Sequence, residues 1–106
     1  LVFNTKSHKL HSFDAEGQFT ALDIASNQFE ISTTSLKNNI GSCLLSIDGD
    51  IHVIGGERNG KHLAWSEVDS AWTEIYNFSE EYTGSPHLAY SSAVYVKSKN
   101  IVLLFG

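Results

Sequence analysis

Five histidines, one cysteine and a handful of carboxylates are the residues of this 106-residue chain whose types could do chemistry. His8 and His11 stand three apart, while His52, His62 and His87 are scattered; a zinc or copper centre needs its ligands gathered in a fixed geometry. On a strand, positions i and i+3 point to opposite faces, so His8 and His11 read as surface side chains. Cys43 sits in the apolar stretch "SCLLSI", and no pattern links it to Tyr76, Tyr82, Tyr90 or Tyr95; a buried structural thiol is expected. Asp48 and Asp50 flank Gly49 without the continuation of a calcium loop and its distal glutamate, which makes them turn residues. "GGERNG" at 55–60 has the composition of a phosphate-cradling loop, but no Lys-Ser or Lys-Thr pair follows it and no helix is predicted there to hold the anion. Recognition is what remains. Glu57, Arg58 and Asn59 are the residues expected to meet a partner, because loops on a rigid scaffold carry function. No catalytic residue, metal site or cofactor is expected.

The composition narrows the setting. A hydrophobic share of 42% against 18% charged residues describes one small ordered domain. Twelve acids against seven bases leave a net charge of -5, which supplies no basic patch for phosphate neutralisation and argues against a nucleic-acid partner. No apolar run approaches the ~20 residues that span a bilayer, and no signal-peptide pattern opens the chain. A lone cysteine rules out an internal disulfide and leans toward a reducing, cytoplasmic setting. The opening "LVFN" lacks an initiator methionine and already has strand character, so a longer parent protein is expected.

These residues must be held by strands. "IDGDI" at 47–51 places Asp-Gly between two apolar runs, a strong hairpin signal. Residues 41–47 and 51–55 should therefore pair antiparallel. A second hairpin should join 88–96 to 101–105 across the polar "KSKN". Pro86 falls in the connection before it, where no strand needs its missing amide hydrogen. The segments 24–40 and 77–87 read as connections.

The chain also repeats. Phe3, Ile54 and Phe105 are evenly spaced at 51 residues (54 − 3 and 105 − 54). "KLHSFDAEGQFTAL" at 9–22 lies beside "KHLAWSEVDSAWTEI" at 61–75, matching Phe13 to Trp65 and Phe19 to Trp72. Glycines Gly55 and Gly56 end one strand, and Gly106 stands where a second such doublet would begin. A unit near fifty residues, with a glycine doublet closing a strand and aromatics bracketing the turn ahead, resembles the kelch repeat of β-propellers.

That resemblance implies an all-β fold of antiparallel four-stranded blades, each with its innermost strand just before the glycine strand. Residues 1–23 would then be three strands of a first blade, 41–76 a full blade, and 88–106 the start of a third. Asn4 and Thr5 depart from the pattern at the first doublet position, and the arginine usual before the inner strand's histidine is missing beside Pro86-His87. Since such propellers close with about four to eight blades, further repeats are needed to complete the ring. The implied role is a non-catalytic scaffold that binds a partner protein through blade-connecting loops. The alternative is part of a propeller enzyme, a galactose-oxidase-like copper oxidase or a sugar isomerase.

Overall fold

The computed structural model describes residues 1–13, 17–36, 41–56, 60–78 and 90–105. Ten strands occupy them: β1 (Val2–Asn4), β2 (Lys9–Phe13), β3 (Gln18–Asp23), β4 (Gln28–Ser35), β5 (Cys43–Ile47), β6 (Asp50–Ile54), β7 (Lys61–Ser66), β8 (Ala71–Asn77), β9 (Ser92–Val96) and β10 (Ile101–Phe105). No α-helix occurs among the described residues. The protein is all-β, with two four-stranded antiparallel sheets in simple chain order, β1 to β4 and β5 to β8, and a two-stranded sheet of β9 and β10.

The Asp-Gly signal has a direct conformational cause. Asp48 and Gly49 hold φ of 50° and 85°, the pair of positive values that a tight primed turn requires. β5 and β6 then pair from Cys43 opposite Ile54 to Ile47 opposite Asp50. The second expected hairpin also forms, with Val96 opposite Ile101 and Phe105 opposite Ser92. Its four-residue turn ends on Asn100 at φ 52°, and the turn between β1 and β2 ends likewise on His8 at φ 58°.

The segment 24–40 is not a plain connection. β4 adds to β3 with Leu22 opposite Phe29 and Asp23 opposite Gln28, and the side chains of Phe29 and Ile31 stay exposed. Its alternation of apolar and polar residues is the mark of a strand, weakened because its apolar side is not covered.

The 51-residue spacing also needs correction. Phe3 lies on the first strand of its sheet and Ile54 on the second of the next, so they do not occupy equivalent places. Asn4 stands where a glycine doublet was sought because it closes a turn of another kind: its buried side-chain Oδ1 accepts hydrogen bonds from the Lys6 and Ser7 amides at 2.9 and 3.3 Å. By place in the sheet, the counterpart of the cross-strand pair Trp65 and Trp72 is Leu22 and Phe29, an offset of 43 residues (65 − 22 and 72 − 29). The turns that follow agree, since Asn27 and Ser70 both take positive φ.

The core gathers between the two larger sheets. Ile51 and Val53 are each 1% exposed, with Phe19, Ala21, Leu45, Ile54 and Leu63 also buried. Each of these side chains larger than alanine contributes roughly 1.5–3 kcal/mol by leaving water. β1 lies against β5 and β6, and β5 lies against β9, so the first strands of the three sheets run side by side.

Candidate functional site

An open cleft of about 170 Å³ lies between the two larger sheets. β2 contributes Lys9 and His11 to it, β3 Phe19 and Ala21, β4 Glu30 and Ile31, and the β7–β8 region Trp65, Glu67 and Ser70. Its floor is aromatic. His11 stacks on Phe19 with ring centroids 4.7 Å apart and an interplanar angle of 9°, and Phe19 meets Trp65 at 4.9 Å.

His11 gives this cleft its chemistry. The residue is 2% exposed, and neither ring nitrogen has a hydrogen-bond partner among the described residues, although buried polar groups are paired in the great majority of cases. Burial pushes its pKa below the ordinary imidazole value; Glu67 and Glu30 pull upward, and Lys9 adds to the depression. Neutral imidazole offers one donor and one acceptor. At the mouth, Lys9 Nζ donates to Glu30 Oε2 at 2.9 Å, and that hydrogen bond is the main cause raising the Lys9 pKa. Glu67 also acts through its charge on both Lys9 and His11.

A second polar grouping joins the three sheets at one end. Lys6 Nζ reaches Asp50 Oδ1 at 3.1 Å, and its stem lies over Gly49, where a Cβ would come within 2.6 Å of the Lys6 Cε. From the other side the Tyr95 hydroxyl lies 3.3 Å from Asp48 Oδ2 and 2.9 Å from Asn100 Oδ1. The turns 5–8, 48–49 and 97–100 therefore form one row.

The remaining chemistry-bearing residues fall elsewhere. His52 Nδ1 and His62 Nε2 are 2.8 Å apart, so one nitrogen donates and the other accepts. Burial lowers both pKa values, Asp50 opposes this at His52, and His52 adds to it at His62. Cys43 is half-buried rather than buried, on β5. Among the described residues no group of three or more His, Cys, Asp or Glu side chains is placed to hold a metal ion.

The chain matches no protein-family model and no curated protein.

Of the motif residues, Gly55 and Gly56 take φ of 72° and 122°, and the Gly55 amide donates to the Lys61 carbonyl at 2.9 Å; a side chain at either place would be strained. Trp65 and Trp72 face each other across β7 and β8 with centroids 5.2 Å apart. Glu57, Arg58, Asn59 and Gly106 lie outside the described residues.

The i, i+3 spacing places His11 at the surface, and the structure instead buries it. Ala21 stands opposite it, as Ala64 stands opposite His52. His11 shares its face of the sheet with Phe19, on which its imidazole stacks, a placement visible only once the register is known.

Proposed function

We propose that the chain contributes two blades and the opening hairpin of a third to a kelch-type β-propeller, and that this propeller is a non-catalytic scaffold for protein–protein interaction. The observation that carries the reading is the side-by-side run of β1, β5 and β9. Each opens an antiparallel sheet in simple strand order, as the inner strand of a blade lines a central channel.

Two further features support it. The rings of Phe13 and Phe19 on one sheet pack on Trp72 of the next at 5.8 and 5.0 Å, which is how neighbouring blades bury what neither can bury alone. On β9 and β10, Val94, Ile101, Leu103 and Phe105 are exposed together, and a further blade stacked there would cover them. Partner recognition falls to the loops, with Glu57, Arg58 and Asn59 the first candidates. The net charge of -5 suits a basic partner surface, and the single cysteine suits a cytoplasmic setting.

Electron microscopy of the full-length protein tests the architecture: a ring of about four to eight sheets is expected, and a closed two-layer sandwich would overturn it. Reversing the charge at Arg58 in that protein tests the loop, where weaker partner binding is expected and unchanged binding would remove residues 57–59 from the interface.

A further inference from the structure

We propose that His52 and His62 form a two-histidine site for a divalent first-row transition-metal ion such as zinc, which takes the place of the proton they share. The site goes beyond the scaffold reading and stands independently of it.

Register brings the two rings together. His52 stands opposite Ala64 and His62 opposite Ile54, so the histidines are diagonal neighbours on one face of β6 and β7, within reach of each other. Both strands are paired on either side, β6 by β5 and β7, and β7 by β6 and β8. Only the side chains need adjust. The rings meet by their edges: Nδ1 of His52 lies 2.8 Å from Nε2 of His62, with centroids 5.0 Å apart and planes at 51°. A tetrahedral ion about 2.0–2.1 Å from each nitrogen holds the two roughly 3.3 Å apart, so a rotation that parts them by about half an ångström admits it.

Protonation also suits a metal. An imidazole binds such an ion through the lone pair of a neutral ring, and burial holds both rings below the ordinary imidazole pKa. Both are therefore neutral at pH 7, and one of the facing nitrogens carries the shared proton. As the ion enters, that ring moves its proton to its far nitrogen. His52 Nδ1 and His62 Nε2 then both donate lone pairs, and no proton passes to solvent. The charge acting on His52 is that of Asp50, whose sign favours a cation.

The ligand type selects the class of metal. Imidazole suits zinc, copper and nickel, whereas magnesium and calcium require oxygen ligands. No third His, Cys, Asp or Glu joins the pair among the described residues, so water completes the coordination. Since β6 leads into residues 55–60 and β7 leads out of them, the bound ion ties the two ends of that segment together.

The test is titration of the chain with zinc chloride, followed by the side-chain nitrogen resonances of its histidines and by urea unfolding. Saturable shifts at His52 and His62 are expected with a Kd on the order of 10 μM, since half the ligands of a structural zinc site supply about half of its binding free energy. At 1 mM zinc the unfolding equilibrium constant should fall by up to roughly a hundredfold, and EDTA should reverse both effects. Magnesium chloride should produce neither. His52→Gln and His62→Gln should each weaken binding roughly tenfold or more with the fold unchanged by circular dichroism, whereas His8→Gln should leave it unchanged. If a glutamine variant fails to fold, the resonances of the unaltered chain decide alone. Zinc that shifts His8 ahead of His52 and His62, shifts that do not saturate, or binding that survives His62→Gln would overturn the proposal.

Discussion

Phe19 of the first sheet and Trp72 of the second meet edge to face, with ring centroids 5.0 Å apart and planes at 69°. Around them Phe13, Trp65 and the Phe19-stacked His11 complete an aromatic seam along which the two sheets touch. Each sheet alone leaves its rings in water, so the seam ties the stability of one sheet to the presence of the other.

Removing one ring should therefore loosen both sheets. Trp72→Ala is expected to lower the unfolding free energy by about 3 kcal/mol, the lower end of the range for loss of a large aromatic, because Trp72 is only half-buried. Urea unfolding gives the value. A cycle pairing Phe19→Leu with Trp72→Leu should show a coupling of about 0.5–1.5 kcal/mol, and additive effects would mean that the rings do not interact.

At the turn row, Gly49→Ala should cost about 1–2 kcal/mol, since the position holds φ of 85° and an L side chain is disfavoured there. The Lys6 stem must also shift, since its Cε, Cγ and Cδ would lie 2.6, 2.7 and 2.9 Å from the new Cβ, and that adds to the cost. Asp50→Asn breaks the exposed Lys6 pair and should leave the unfolding midpoint nearly unchanged. Comparing the two variants separates backbone strain from surface charge.

Acid should destabilise the protein through its histidines. The pKa values of His11, His52 and His62 are all lowered by burial, so the unfolded chain binds protons first. Their contribution is complete above the unfolded imidazole pKa of about 6.5 and is lost as pH falls through the lower folded values. Glu67 and Glu30 facing His11, and Asp50 facing His52, limit the loss without reversing it, and Lys9 deepens it at His11. The His52–His62 hydrogen bond survives one added proton but not two, because two imidazolium rings offer no acceptor. Chemical denaturation at pH 7.5 and 5 should show the drop, and equal stability at both would contradict it.

His11→Phe should raise stability at pH 7 by about 1 kcal/mol, since two buried nitrogens without partners are replaced by a ring that can keep the Phe19 stack. It should also flatten the acid limb. A loss of stability instead would show that the imidazole is hydrogen-bonded in solution.

How much of this was legible in the sequence depended on range. Asp48-Gly49 announced its hairpin because the turn is fixed by two residues' own backbone preferences, and "KSKN" between two apolar runs did the same for β9 and β10. The strand β4 does not stand out in the sequence: Phe29 and Ile31 alternate with polar residues, but they are only two apolar positions in an otherwise polar stretch. The aromatic match of Phe13 and Phe19 to Trp65 and Trp72 joined residues that do pack together, yet on different hairpins of their sheets, because aromatic character reports a shared seam and not a shared register. The cleft was invisible for a related cause. The register of β2, β3 and β4 aligns His11, Ala21 and Glu30, and only the stacking of the sheets adds Glu67.

The face-to-face stacking of the sheets is the claim on which the rest depends, and aromatic proton cross-relaxation measures it most directly. Cross-peaks between the Phe19 ring and the Trp72 and Trp65 indoles are predicted from centroid separations of 5.0 and 4.9 Å. A spectrum in which Phe19 shows contacts only to residues of its own sheet would contradict the account.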